Sequence, residues 1–218
     1  MDKKYAEGLI RAYELRSQKY PPDIHIDYLE SIKSALELYK VIIRENGENP
    51  YILNAIATCY SEWATSSPVD FSKWDDAIST ILCAIQLAPD NGYFHAVLAS
   101  YYHFGKLEYE KAVIEYRKAI ELNPSDIWAL NNLAGLYGHP ENVITIQEAI
   151  NWRESVVSLE PNKPLNHALL AELYFENRQF RKAQEEAIKS LLYPRPLETG
   201  WLEKMKDILN RVGDKTER

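Results

Sequence analysis

Four similar helical stretches recur along the sequence, each with a small residue on its apolar face and a proline just past its end. The small residues are Ala77, Ala112, Ala149 and Ala183, and the prolines are Pro89, Pro124, Pro161 and Pro194. Intervals of 35, 37 and 34 residues separate the alanines. A pattern with this period is typical of chains that stack one small helical unit several times. We therefore expect a stacked array of helices.

A second helical pattern precedes each stretch and carries an apolar residue, a small residue and then a tyrosine. These sets are Ile56-Ala57 with Tyr60, Leu98-Ala99 with Tyr102, Leu133-Ala134 with Tyr137, and Leu170-Ala171 with Tyr174. Small residues let two helix backbones approach closely, and proline ends the second helix because it lacks an amide hydrogen. A helix pair of this length cannot bury its apolar face alone, so each pair is predicted to stack on the next.

These landmarks in register resemble the tetratricopeptide repeat, a helix–turn–helix unit of about 34 residues. The resemblance covers roughly residues 50–195 and divides them into repeats at 50–90, 91–125, 126–162 and 163–195. It implies an all-α fold, a right-handed superhelical solenoid of antiparallel helix pairs. The whole chain, residues 1–218, would then be a single solenoid domain.

Both ends of the chain are predicted to extend this array. Residues 1–47 read as a divergent N-terminal helix pair, in which Ala35, Tyr39 and Ile42 take the places of second-helix contacts. Residues 197–212 carry apolar side chains at the spacing of one helix face and predict a helix that caps the last apolar surface. Because of this cap, we expect the solenoid to be complete at this end.

Two connections are longer than the repeat requires. Residues 63–73, WATSSPVDFSK, are predicted to form a loop that Phe71 and Trp74 fold back against the helices. Residues 138–147 lengthen the third repeat at the same place. Loops often carry partner-specific contacts, although plain decoration of one edge is the simpler interpretation.

Charge and composition limit the kinds of partner. The net charge is −7 and the pI is about 5.3, so no broad basic surface is available for nucleic acid. No apolar stretch approaches the roughly 18 residues that a membrane span needs, and the N-terminus has no signal-peptide core. A cytoplasmic location is the default expectation. Cys59 and Cys83 fall within helical patterns and are interpreted as small buried residues.

No pattern in the sequence indicates catalysis or a cofactor. The histidines have no metal-ligand spacing and fall on different repeats; they are His25, His95, His103, His139 and His167. His95 and His167 take equivalent repeat positions, which favours a packing role. Glycine-rich phosphate-binding motifs are absent. We therefore predict no catalytic residue, no metal site and no cofactor, and a chain that is not an enzyme.

By resemblance to the family, the first helix of each pair lines the concave side of the solenoid, where partners bind. The predicted peptide- or partner-binding residues are Tyr51, Asn54, Thr58, Glu62, Tyr93, Ser100, His103, Trp128, Asn131, Asn132, Leu165, Glu172 and Phe175. Asparagine amides both donate and accept hydrogen bonds, which suits the backbone of an extended peptide. The aromatic rings would receive side chains, unless Tyr93 and Trp128 pack between neighbouring first helices.

Some relatives hold the C-terminal carboxylate of heat-shock chaperones with a clamp of lysine, arginine and asparagine side chains. Asn132 occupies one plausible clamp position. The other positions hold Ala96, Ser100, Leu165 and Leu169, so the basic members of the clamp are missing. This departure argues against a chaperone-tail role.

Three functions are consistent with these features. The first is an interaction scaffold or adaptor that binds a peptide or partner helix of another protein in the concave groove. The second is an assembly or regulatory subunit of a larger complex. The third is an accessory domain of a longer enzyme, which the predicted cap and the start at Met1 disfavour. Fold alone does not identify the partner, and the oligomeric state stays open.

Overall fold

The computed structural model describes residues 3–17, 25–66, 71–193 and 197–216, and all regular elements in these ranges are helical. The α-helices are Lys3–Ser17 (α1), His25–Asn46 (α2), Pro50–Ser66 (α3), Ser72–Leu87 (α4), Gly92–Ser100 (α5), Tyr109–Leu122 (α6), Ile127–Ala134 (α7), Ile146–Leu159 (α8), Pro164–Glu176 (α9), Phe180–Leu192 (α10) and Thr199–Thr216 (α11). A π-helical turn, Tyr101–Lys106, continues α5. The prediction of an all-α chain of paired helices is confirmed. Its division into the four predicted repeats stays a prediction.

The chain forms two compact units, Met1–Asn123 and Pro124–Arg218. In the first unit, α1 packs on α2, α3 on α4 and α5 on α6, and contacts of α2 with α3 and of α4 with α5 join these pairs. Two apolar clusters form its core, one around Ile32 and Leu36 and one around Ile81 and Phe94. Each helix is therefore held mainly by its neighbours in sequence, as in a repeat array.

The predicted alanine contact points are buried. Ala77 and Ala112 are completely inaccessible in the first unit, as are Ala149 and Ala183 in the second. A residue without a long side chain is needed there because the helix backbones of a pair lie close together. The structure thus gives the alanine repeat a steric cause.

In the second unit, α7, α8, α9 and α10 each pack on the next helix, and α11 packs on α9 and α10. The buried face of α11 carries Met205, Ile208 and Val212, as its apolar spacing predicted. Its outer face carries charged residues such as Glu203 and Lys206, which pair with each other. The helix covers apolar surface that α9 and α10 would otherwise leave open.

The first predicted insertion differs from expectation. Helix α3 runs to Ser66 and α4 begins at Ser72, so the prediction of a loop over 63–73 was too long. Ala64 is buried, and this burial extends α3. Phe71 is exposed, so its predicted folding-back is wrong, whereas Trp74 does pack, with its ring 5.8 Å from that of Tyr101. Residues 67–70 lie outside the described part of the chain.

Both cysteines are free thiols. Cys59 is buried, as predicted. Cys83 is exposed, so the expectation of burial is wrong for this residue. It lies beside the fully buried Ala84, on the outer side of α4, where the helical period turns it away from the core.

Candidate functional site

The predicted repeats have α3, α5, α7 and α9 as their first helices, and the first three of these begin with a side-chain cap. The side-chain oxygen of Asn49 accepts hydrogen bonds from the amides of residues 51 and 52, and that of Asn91 accepts one from residue 93. The Asp126 carboxylate accepts one from the amide of residue 129. Helix α9 instead places Pro164 in its first turn, where the missing amide hydrogen costs nothing. These caps fix where each helix starts.

The second residue of each of these four helices is large, apolar and exposed. We call them the second-position residues: Tyr51 is 66% exposed, Tyr93 53%, Trp128 44% and Leu165 43%. By contrast, the residue that follows each of them is buried; these are Ile52, Phe94, Ala129 and Asn166. In each of these helices, the second residue is therefore an exposed apolar side chain and the third residue belongs to the buried core.

In the first unit, Tyr51 and Tyr93 come together around Phe94. The Tyr51 ring meets Phe94 edge-on at 5.5 Å between centroids, and the Tyr93 ring lies 6.1 Å from it. A shallow cleft of about 540 Å³ opens beside both tyrosines, along the turn that includes Pro89 and Asn91. The tyrosines thus keep exposed ring surface next to a concave space, the arrangement that favours an apolar contact with a ligand.

Two other residues predicted for the first unit, Thr58 and Ser100, bond within their own helices, and the side-chain oxygen of Asn54 is buried. Thr58 donates to the backbone carbonyl of Asn54 at 2.9 Å, and Ser100 donates to that of Val97 at 2.7 Å. Glu62 is only partly exposed. These hydroxyl groups satisfy their own helices and are poorly placed to bind a ligand.

His103 lies in the π-helical turn among aromatic rings. It stacks on Phe104 with 3.9 Å between centroids and meets Tyr109 and Tyr116 of α6 edge-on. This histidine therefore contacts the second helix of its own pair.

In the second unit, the two predicted asparagines are occupied. Asn132 donates to the backbone carbonyl of Trp128 at 2.9 Å, which holds its amide against its own helix. The side-chain oxygen of Asn131 accepts a hydrogen bond from the guanidinium of Arg153 on α8. One polar atom of each amide is therefore already used inside the protein.

Glu172 and Phe175 of α9 contact the last helix. Glu172 accepts a hydrogen bond from Lys204 at 2.6 Å. The Phe175 ring meets Phe180 edge-on at 5.6 Å and has the Arg211 guanidinium 4.6 Å from its centre. These residues line an open cleft of about 680 Å³ between α9 and α11. Of its charged residues, Lys204 pairs with Glu172, and Arg211 binds Asp207 at 3.2 Å.

The histidines predicted to pack do so through equivalent hydrogen bonds. Nδ1 of His95 lies 2.7 Å from the Glu115 carboxylate, and its Nε2 lies 3.1 Å from the carbonyl oxygen of Pro89. His167 makes the same pair of contacts with Glu186 and Pro161, at 2.6 and 2.8 Å. Each imidazole thereby ties a first helix to its second helix and to the preceding turn.

Within the described ranges, no group of three or more acidic, histidine or cysteine side chains is arranged to hold a metal ion. A search of the same residues finds no helix that is long and apolar enough to cross a membrane.

Two buried ionisable groups were not predicted. Burial raises the pKa of Tyr101, on the π-helical turn, to about 12. Burial also lowers the pKa of Arg153 to about 10. A signal for Arg153 was present in the sequence, because it stands four residues after Ala149, where the other second helices have Ile81, Tyr116 and Ala187.

Comparison with known proteins agrees with this architecture. Residues 108–138 match the family model of the tetratricopeptide repeat. No curated protein sequence is similar enough to be matched with the chain.

Three solved structures illustrate the similarity of fold. A thermophilic tetratricopeptide-repeat protein of Thermus thermophilus is 18% identical over 94% of this chain and 99% of its own, with a TM-score of 0.54. The C-terminal part of a repeat-containing protein from Cytophaga hutchinsonii is 14% identical over 97% and 80%, with a TM-score of 0.63. YrrB, a repeat protein with an unusual peptide-binding site, is 16% identical over 87% and 91%, with a TM-score of 0.56.

Residues 108–138 thus match the tetratricopeptide repeat, and the chain has the fold of solved tetratricopeptide-repeat proteins.

Proposed function

We propose that this protein is an interaction scaffold or adaptor, which binds a peptide or a partner helix of another protein. The second-position residues are the proposed anchors, Tyr51 and Tyr93 in the first unit and Trp128 and Leu165 in the second. YrrB shares the fold and has a peptide-binding site, which supports the same class of function here. The assignment is to binding of a protein ligand, with no chemical step.

One observation carries the proposal: a large apolar side chain is exposed at the same place in four helices. Single exposed apolar residues are ordinary on protein surfaces. An exposed apolar residue that returns at the second position of α3, α5, α7 and α9 is harder to explain by packing, because the adjacent position is buried each time. Aromatic side chains at such positions are frequent energetic centres of interfaces.

The proposal can be tested with paired substitutions in each unit. Tyr51→Ala with Tyr93→Ala removes the anchors of the first unit, and Trp128→Ala with Leu165→Ala removes those of the second. Partners captured from the source cell's lysate by the wild-type chain would be identified by mass spectrometry and then titrated by calorimetry. Loss of the anchor side chains of a unit should weaken binding about tenfold or more.

Two exposed isoleucines of second helices supply matched controls. Ile114 on α6 is 64% exposed, a fraction similar to the 66% of Tyr51. Ile188 on α10 is 44% exposed, the same fraction as Trp128. Ile114→Ala with Ile188→Ala should leave binding unchanged if the anchors lie on the first helices. Circular dichroism must show that all variants are folded. Equal partner capture by the anchor variants and the wild type would contradict the proposal.

A further inference from the structure

Arg153 occupies a position that belongs to the core elsewhere in the chain. The residue four places after the small alanine of a second helix is Ile81, Tyr116 or Ala187 in the other repeats, and each of these is fully buried. In α8 the same position holds Arg153, which is only 8% exposed. A cation has thus replaced an apolar core residue in one repeat alone. Local violations of a folding pattern of this kind are expected at functional sites.

No residue in the described part of the chain supplies a counter-charge for this cation. One terminal nitrogen of Arg153 donates to the side-chain oxygen of Asn131, and the other lies 3.4 Å from the Asn131 carbonyl oxygen. Among the described residues, no carboxylate lies within ion-pair distance of the guanidinium. Arginine has five N–H donors, so most of them stay available. With a pKa of about 10, the side chain is still charged at neutral pH.

The guanidinium borders a cleft of about 300 Å³ in the second unit. One wall is the turn after α7, with Tyr137 and Gly138, and the other is α9, with Leu169 and Leu173. An added Cβ at Gly138 would meet no atom within 4 Å, so the space beside the turn is open. The cleft has room for a small charged group and the carbon atoms that carry it.

Two glutamates also line this cleft, and both have partners of their own. Glu172 binds Lys204 at 2.6 Å. Glu176 interacts with Tyr137, whose pKa is raised by burial and by this carboxylate. Arg153 is therefore the cation of this cleft that no described carboxylate pairs with. The two glutamates disfavour a doubly charged phosphate more strongly than a carboxylate, which carries a single negative charge.

We propose that the cleft of Arg153 is a binding site for a carboxylate group, supplied by an acidic side chain or by a chain terminus of a protein partner. The planar fork of a guanidinium matches the two oxygens of a carboxylate. Binding would give the buried charge its missing counter-ion. This inference goes beyond the proposed function, because it requires no contact with the second-position residues.

The test uses the full chain labelled with ¹⁵N, whose Arg153 Nε–H signal is followed by NMR during titration. N-acetyl-glutamic acid N-methylamide presents a side-chain carboxylate, and N-acetyl-alanine presents a chain-terminal one. The uncharged control is N-acetyl-glutamine N-methylamide, and inorganic phosphate is the fourth probe. We expect a saturable shift with at least one carboxylate, and the tighter of the two identifies its source. No saturable shift with either carboxylate, an equal shift with the amide, or tighter binding of phosphate would overturn the proposal.

Arg153→Met tests the residue itself, because methionine is apolar like the residues at the equivalent positions. We expect this variant to fold and to bind the carboxylate about tenfold or more weakly, since a charge-assisted hydrogen bond is lost. Arg181→Met, at an exposed arginine of the same unit, removes one charge and should leave the affinity unchanged. If both substitutions weakened carboxylate binding equally, only the net charge of the protein would determine the affinity, and the proposed site would be wrong. If Arg153→Met does not fold, the wild-type titration still decides.

Discussion

At the residue scale, buried ionisable side chains distinguish this chain from a plain helical array. Tyr101 and Arg153 both lie where water is largely excluded. Burial favours the neutral form of each side chain, so it raises the pKa of Tyr101 and lowers the pKa of Arg153. Their effects on stability have opposite signs at high pH. A tyrosine with a raised pKa stabilises the folded state below its ordinary pKa, whereas an arginine with a lowered pKa disfavours folding until it loses its proton.

Tyr101 leads to a prediction about alkaline stability. Unfolded chains begin to lose the phenol proton near pH 10, whereas the folded protein holds it to about pH 12. The folded state should therefore lose about 2–3 kcal/mol of stability as the pH rises from 10 to 12. Tyr101→Phe should abolish this part of the loss. Urea unfolding followed by circular dichroism at several pH values would measure it.

A comparison at pH 7 controls for any change in packing caused by removal of the hydroxyl. Deprotonation of Arg153 stabilises the folded protein over the same alkaline range. Both the wild type and Tyr101→Phe contain Arg153, so its contribution cancels in the difference between their unfolding free energies. Parallel curves for Tyr101→Phe and the wild type between pH 10 and 12 would refute the prediction.

At the scale of the helix, the sequence predicts positions of contact better than it predicts where helices end. The alanines and the apolar face of α11 lie where their spacing placed them, because side-chain period and burial are local properties of a helix. Helix α7 ends at Ala134, before the predicted contact residue Tyr137. The glycines at 135 and 138 were a signal for that end, and Gly138 has the left-handed φ of 80°.

The candidate site was harder to predict than the fold. The exposure of the second-position residues follows from where their helices start, whereas their role in binding stays a prediction. The neighbours of Asn131 and His103 could not be read from the sequence, because Arg153 and the α6 tyrosines reach them only after the helices have packed. Contacts between helices depend on tertiary geometry, which the spacing of apolar residues within one helix does not specify.

The π-helical turn after α5 gives a second prediction. The second repeat has one residue more between Ala99 and Ala112 than the fourth repeat has between its equivalent alanines, and a π-helical turn can absorb one extra residue. Gly105 in this turn lies under the Trp74 ring, and an added Cβ would come within 2.4 Å of it. Gly105→Ala should therefore cost about 1–3 kcal/mol of unfolding free energy, by overpacking.

Gly200 provides the matched control for this substitution. It lies in the first turn of α11, and an added Cβ there would meet nothing within 4 Å. Gly200→Ala should be neutral or stabilise by up to about 1 kcal/mol, since alanine restricts the unfolded chain. Chemical denaturation of both variants would compare them directly. If Gly105→Ala is as stable as the wild type, Trp74 is not seated against the turn.

At the scale of the whole molecule, the first unit has a core that continues from one helix pair to the next. One cluster joins α1, α2 and α3, and the other joins α3, α4 and α5. Ile43 and Tyr60 pack against both clusters. A repeat array is stabilised by such contacts between neighbours, so its pairs should unfold together when the shared contacts are strong.

Trp63 packs against the first cluster and Trp74 against the second, so fluorescence can report on each separately. We predict that a fragment of residues 1–123 unfolds in one cooperative transition, since Ile43 and Tyr60 couple the clusters. In this fragment, Trp74→Phe leaves Trp63 as the only reporter, and Trp63→Phe leaves Trp74. For each variant, the urea midpoint from fluorescence should coincide with that from circular dichroism at 222 nm, which is the standard test of two-state unfolding. Comparison within one variant removes the effect of the substitution itself. A fluorescence midpoint that precedes the loss of helix in either variant would mean that the two clusters unfold separately and that their shared residues do not couple them.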